Sequence, residues 1–194
     1  MGYELIAGMD EVGRGSLAGP IVAAAVILDR KSFMIEGIND SKKLTPIKRN
    51  QLYKKIIASC ACWSIAKIGP AEIDRQNITM ANIKVFDLAA RSLKIKPDII
   101  ISDFINIDSK KLASASSTGF IPISKGDQSS VSIAAASIVA KVTRDRIMEK
   151  MALTFPEYGF DKNKGYGTKK HMLSIQKYGP TRIHRMTFRG VLEY

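Results

Sequence analysis

An α/β fold, with a mixed sheet flanked by helices and a small helical part at the C-terminus, is what this sequence predicts. Three observations carry it. Two apolar runs rich in Ile, Val and Ala, Tyr3 to Met9 and Pro20 to Leu28, follow one another across a Gly-rich segment. Helical patterns and short strand-like runs then alternate. One of those runs, Asp98-Ile99-Ile100-Ile101-Ser102-Asp103, is aliphatic up to a closing carboxylate, the pattern of a strand buried on both faces that ends at the sheet's edge.

Taken in order, the first two runs read as neighbouring strands, with a hairpin as the expected connection. Thr45-Pro46 is a helix start, with Thr as N-cap and Pro at the first helical position, and Ile47, Leu52, Ile56 and Ile57 supply its apolar face. Cys60 to Ile68 returns to strand. Pro70 to Leu93 is helical, with Ile83, Phe86, Leu88, Ala89 and Leu93 on or near one face, and Pro97 stops it. Phe120 to Ile123 is a further short strand. Val131 to Met151 is a long helix whose Ala134-Ala135-Ala136-Ser137 stretch allows close packing on a sheet. Beyond Phe155-Pro156, a loop leads to a short helix near Lys169 to Tyr178. The 194 residues, 45% hydrophobic, suit one well-buried domain spanning 1–194, with the helical appendage starting at about 152.

The formal net charge of +12 points to a polyanion, because a basic surface gains affinity by displacing counterions from phosphates. Nucleic acid is the first reading. The charge is spread along the chain without a basic amphipathic helix, which disfavours a membrane surface. No apolar run reaches about eighteen residues and no leader pattern opens the chain, so a cytoplasmic protein is expected. Cys60 and Cys62, placed two apart in the expected strand, read as reduced thiols. With only two histidines, His171 and His184, a metal here would be a hard cation held by oxygens.

The chemistry concentrates in Asp10-Glu11-Val12-Gly13-Arg14-Gly15, where two adjacent acids and a glycine-flanked arginine leave an apolar strand. Asp10, Glu11, Asp103 and Asp127 each close a strand or lead a helix, positions from which side chains converge at one end of a sheet. Gathered carboxylates repel one another and are stable together mainly around cations. Two divalent ions roughly 3.5 to 4 Å apart are the arrangement used for phosphodiester cleavage. Neighbours on a straight strand point to opposite faces, so Asp10 and Glu11 are expected to share one site only if the backbone turns there, with Gly13 and Gly15 supplying the freedom. Asp127, ahead of a helix, is equally readable as an N-cap or first-turn charge. Asp103 could simply end its strand, Asp145 fits a helix-face salt bridge, and Asp40 and Asp108 read as turn residues. The segment Gly13-Arg14-Gly15-Ser16-Leu17-Ala18 formally matches a dinucleotide-binding glycine pattern. Adjacent acids would repel a pyrophosphate there, and Pro20 with the strand behind it replaces the required helix.

The chain resembles bacterial ribonuclease HII, the type 2 ribonuclease H family. The matching segments run from Met9 to Pro20 through Asn39 to Leu44, Lys125-Gly126-Asp127, Ile133 to Asp145 and Phe155 to Phe160 to Lys164 to Thr168. The resemblance implies a ribonuclease H-like fold and endonucleolytic cutting of the RNA strand of RNA/DNA hybrids and of single ribonucleotides embedded in duplex DNA. It also implies 5′-phosphate and 3′-hydroxyl products, a monomer, and work in ribonucleotide excision repair and DNA replication. Asp10, Glu11, Asp103 and Asp127 fall on the family's metal carboxylates, with Mn2+ or Mg2+ as cofactor. Gly13, Arg14 and Gly15 fall on the segment that reads the ribose 2′-hydroxyl, the group separating RNA from DNA. Tyr166 falls on the tyrosine packing against the next sugar, and Lys42 and Lys43 on a phosphate-contacting pair. Phe104 after Asp103 and Asn163 before Lys164-Gly165-Tyr166 depart from the family's usual small residue and histidine. The related ribonuclease HIII carries an extra N-terminal domain for which this chain has no room. The competing class is a basic nucleic-acid binding module without chemistry, which leaves four placed carboxylates unexplained.

Overall fold

The computed structural model describes residues 3–29, 35–38, 44–103 and 118–192. Five strands form one sheet in the order β3-β2-β1-β4-β5. They are β1 (Ile6–Val12), β2 (Ile21–Ile27), β3 (Cys62–Ile68), β4 (Ile99–Asp103) and β5 (Gly119–Ile123). The expected hairpin is present, with β1 antiparallel to β2 and Asp10 opposite Ala24. β2 is antiparallel to β3, whereas β4 and β5 join parallel to β1. The sheet is therefore mixed, and the parallel side brings the C-terminal ends of β1 and β4 to one edge.

Helices cover both faces. α1 (Pro46–Ser59) and α5 (Val131–Thr154) lie on one, α2 (Pro70–Gln76) and α3 (Ile78–Arg91) on the other. Alternation along the strands divides the core accordingly. Ala23, Ala25 and Ile27 of β2 pack with Val85, Phe86 and Ala89, while Ala24 and Val26 pack with Ala134, Ala135 and Ile138. The alanine stretch matters at Gly8, where a Cβ would lie 2.1 Å from the Ser132 carbonyl carbon, so helix and sheet are in backbone contact there. A third apolar cluster joins Leu17, Ala18 and Met148 to the C-terminal part, made of a 3-10 turn, α6 (Phe160–Asn163) and α7 (Lys169–Tyr178). α4 (Gly126–Ser129) is a single turn between β5 and α5.

Several local expectations need correction. Asn77 breaks the span from Pro70 to Leu93 into two helices; its backbone sits at φ +69° and its side chain caps α3 by accepting from the Met80 N–H. Thr45 does cap α1, but Ile47 is exposed and only Leu52 and Ile56 of the proposed face are fully buried. Leu88 is likewise exposed. Cys60 ends α1 rather than sharing a strand with Cys62; both thiols are free. Among the described residues no helix is long and apolar enough to cross a membrane.

Candidate functional site

Asp10 and Glu11 lie inside β1, which continues regularly through Val12. The expected turn at the acids is absent. Asp10 falls on the face shared with Gly8 and Val12, toward α5, and Glu11 on the opposite one, as strand alternation requires. What couples them is their shared neighbour. Met9 pairs with Ser102, so the next residue of β4, Asp103, stands level with Asp10 at the open end of the sheet. Burial first, then the charges of Glu11 and Asp103, push the Asp10 carboxyl up to about 7, against a hydrogen bond from Ser137 that favours its ionised form. Burial also raises Glu11, and Asp103 adds to that, while the positive charge of Arg14 opposes it. Asp103 in turn accepts a 2.8 Å hydrogen bond from the Gly126 N–H, which ties β4 to α4. Asp127, the next residue, is buried in the first turn of α4 and is not the N-cap of the long helix, which is Ser130.

Asp10, Glu11, Asp103 and Arg14 are therefore electrostatic neighbours, and Asp127 is linked to them through the Gly126–Asp103 bond. Among the described residues no three acidic, histidine or cysteine side chains are drawn close enough to hold a metal by themselves. The acids line an edge rather than a cage. Asp145 pairs with Lys141 at 2.7 Å, as a helix-face salt bridge should. Lys42, Lys43, Asp40, Phe104 and Asp108 lie outside the described residues.

Immediately beyond β1 the chain turns. Gly13 adopts φ +93°, and a Cβ there would meet the Arg144 guanidinium at 2.1 Å, so glycine is required twice over. Gly15 differs from the expectation: its φ is not positive, and a Cβ there would face open space.

Two arginines with no solvent exposure hold this turn. Arg185 donates to the carbonyls of Gly13 (2.6 Å), Arg14 (2.8 Å) and Gly19 (3.0 and 3.1 Å). Arg144 donates to those of Ala18 (3.1 Å), Pro20 (2.9 Å) and Lys164 (2.8 Å). The planar guanidinium fork suits such a cluster of carbonyls, where a lysine would act as a point charge. Burial pulls both pKa values down, Arg185 to about 9, which still leaves it charged at neutral pH.

The Lys164 bond also brings in Tyr166. The Gly165 carbonyl accepts from the N–H groups of Leu17 and Ala18 at 2.8 and 3.2 Å, and the Arg144 guanidinium lies 5.5 Å from the centre of the Tyr166 ring. That ring is 37% exposed. Tyr166 and Gly13–Gly15 thus share one rim, with Arg144 between them. Asn163 bonds the Tyr158 carbonyl (2.6 Å) and receives the Gly165 N–H (2.7 Å), so it shapes the approach to Tyr166.

Sequence reasoning overlooked Ser137, Arg144 and Arg185. For the first two a signal exists: Ile133, Ser137, Ala140, Arg144 and Met148 recur at helical spacing on one stripe of α5, which places the arginine where burial is expected. Arg185 carries no comparable pattern.

A family model described as Ribonuclease HII matches residues 7–191. A ribonuclease HII from Caldicellulosiruptor bescii is 47% identical over 96% of this chain and 87% of its own length. One from Rickettsia akari is 48% identical over 95% and 91%. Among solved structures, ribonuclease H2 from Pyrococcus horikoshii superposes with a TM-score of 0.81 at 32% identity, covering 96% of this chain and 95% of that one.

Proposed function

The chain belongs to the ribonuclease HII family, a family of metal-dependent endoribonucleases, and on that premise we propose that it cuts the RNA strand of RNA/DNA hybrids and single ribonucleotides embedded in duplex DNA. The observation that carries the reading is Asp103 standing level with Asp10 and raising the proton affinity of both Asp10 and Glu11 beside the Gly13–Gly15 turn. A buried cluster of like charges costs stability unless something positive joins it.

The donor set suits a hard divalent cation, Mg2+ or Mn2+, which is commonly held by one or two carboxylates together with substrate phosphates rather than by a complete protein cage. Asp10, Glu11, Asp103 and Asp127 would be the residues that hold such ions. When bound, the ions supply Lewis acidity to the attacking water and the leaving oxygen, giving 5′-phosphate and 3′-hydroxyl ends. The protein's own residues do the rest. Arg144 and Arg185 preset the turn, so that Gly13 and Arg14 need no rearrangement on binding. Gly15, with open space on its side-chain position, lets a sugar edge approach the backbone and its 2′-hydroxyl be read. Tyr166 offers a ring for the neighbouring sugar. Lys42 and Lys43 are assigned phosphate contacts, the catalytic unit is read as a monomer acting in the cytoplasm, and 1–194 is read as one catalytic domain with its helical part from about 152.

The test is a cleavage assay on duplex DNA with one ribonucleotide, an RNA/DNA hybrid and an all-DNA control, with and without Mg2+ or Mn2+. Metal-dependent cutting of the two ribose-containing substrates and not of DNA is expected; absence of cutting on both overturns the proposal. Asp10→Asn separates the enzyme from a pure binder, since the enzyme keeps hybrid binding and loses cutting.

A further inference from the structure

Behind Tyr166 the chain's two histidines form a buried pair that the proposed chemistry does not use. Both are essentially without solvent exposure, and their Nε2 atoms are 3.1 Å apart. At one end of the pair the Thr181 backbone N–H lies 2.9 Å from His184 Nδ1. At the other, His171 Nδ1 lies 2.9 Å from the Tyr166 carbonyl oxygen. A backbone N–H only donates and a carbonyl only accepts, so both ends impose the same proton arrangement. Thr181 donates to His184 Nδ1, His184 Nε2–H donates to His171 Nε2, and His171 Nδ1–H donates to Tyr166. The two imidazoles are opposite tautomers, both neutral.

Neutrality agrees with the surroundings. The rings of Tyr158 and Phe160 pack against both histidines, with centroids 5.0 to 6.3 Å away. Burial lowers both pKa values, His184 to about 4, where the neighbouring His171 contributes. A proton added to the middle of the chain would set N–H against N–H.

The histidines also connect the two halves of the rim. The backbone of His184 pairs with Ala18, the Ile183 carbonyl accepts from the Gly19 N–H, and Arg185, the next residue, grips Gly13 and Arg14. His171 sits in the first turn of α7 and holds the carbonyl of Tyr166. We propose that His171 and His184 are positioning residues: a one-way hydrogen-bond relay that fixes Tyr166 relative to the Gly13–Gly15 turn, and so sets the spacing with which the substrate strand is gripped. The relay rests on the proposed function for the roles of Tyr166 and the turn, but not for its geometry.

Two experiments test it. Long-range 1H–15N correlation of the unmodified protein at neutral pH resolves all four ring nitrogens, since the chain has two histidines. Protonation at His171 Nδ1 and His184 Nε2 is expected; any other tautomer pair, or an imidazolium, overturns the relay. The second compares His171→Asn, whose amide can still donate toward the Tyr166 carbonyl, with His171→Leu, which cannot. With both variants folded by circular dichroism, kcat/KM on the single-ribonucleotide duplex should fall on the order of tenfold for Leu and be largely restored by Asn, as expected when a contact group is displaced by a fraction of an ångström. Equal activity of the Leu variant and the unmodified protein overturns the positioning role, and so does an Asn variant as impaired as Leu. If the Leu variant does not fold, the tautomer measurement still decides. An unmodified protein that does not cut indicts the proposed function, whereas one that cuts with the wrong tautomers indicts only the relay.

Discussion

The carboxylate end of the sheet and the turn beside it, separated by a single residue, are built on opposite principles. Burial first, then the charges of Glu11 and Asp103, raise the cost of ionising Asp10, and burial with Asp103 raises that of Glu11 against the positive charge of Arg14. Gly13, Arg14 and Gly19 have their carbonyls bonded by Arg185, and Ala18, Pro20 and Lys164 theirs by Arg144. The first region gathers buried acids whose ionisation is costly, whereas the carbonyls of the second are already paired by the two arginines. On the proposed function this is a division of labour: electrostatic cost would sit where a cation relieves it, and rigidity where the substrate's 2′-hydroxyl would be sensed.

The largest effect should come from breaking the first region. Asp10→Asn should lower metal-dependent cutting about a thousandfold or more, the several kcal/mol of transition-state stabilisation ascribed to such sites. The same change should stabilise the metal-free protein at neutral pH. A carboxyl raised from 3.8 to about 7 keeps its proton more readily when folded, so its contribution to stability is full below pH 3.8 and lost as pH rises through 7. The loss is at most about 4 kcal/mol, at roughly 1.4 kcal/mol per pKa unit. Urea denaturation without metal at pH 5 and pH 8 should show the unmodified protein losing stability across that range and the Asn variant losing less.

Next in size is the clamp. Arg185→Lys keeps the charge but cannot span three carbonyls, and each buried carbonyl left unpaired costs about 1–3 kcal/mol. A destabilisation of roughly 2–4 kcal/mol by urea denaturation is expected, together with reduced cutting. Full stability would mean that the turn holds itself. A finer comparison sets Gly13→Ala against Gly15→Ala. Gly13→Ala meets both the positive φ and the Arg144 side chain, for a loss of about 2–4 kcal/mol. Gly15→Ala should stay within about 0.5 kcal/mol of the unmodified protein while weakening substrate cleavage, because on the proposed function a bound strand would occupy the space its methyl enters. The smallest effect lies outside both regions: Thr45→Ala removes the N-cap of α1 and should cost about 1 kcal/mol in denaturation with cutting unchanged.

How much of this was legible in the sequence depended on whether the signal was local. Periodicity exposed β1 and β2, and the aliphatic run ending in Asp103 announced both a buried strand and an acid at its edge. Thr45-Pro46 marked its helix correctly because capping is a matter of neighbouring residues. Asn77 hid its break, since an asparagine inside a helical pattern does not announce a positive φ. Ile47 shows that periodicity finds a face without saying how far along the helix a neighbour covers it. The acids illustrate the limit most clearly. Adjacent strand residues point apart, so a backbone turn seemed necessary for Asp10 and Glu11 to act together; the sheet instead supplies Asp103 from the parallel neighbour, which influences both. Arg144 and Arg185 were invisible as a pair because their partners are backbone carbonyls, which leave no residue-type signature.

On the proposed function, Asp10 and Asp103 at the ends of β1 and β4 take up a divalent cation. Calorimetric titration of the substrate-free protein with Mn2+ at pH 6 and pH 8 tests it most directly. Binding should be weaker at pH 6, accompanied near pH 7 by proton release, and abolished in Asp10→Asn. Affinity that is equal at the two pH values and untouched by Asp10→Asn would contradict it.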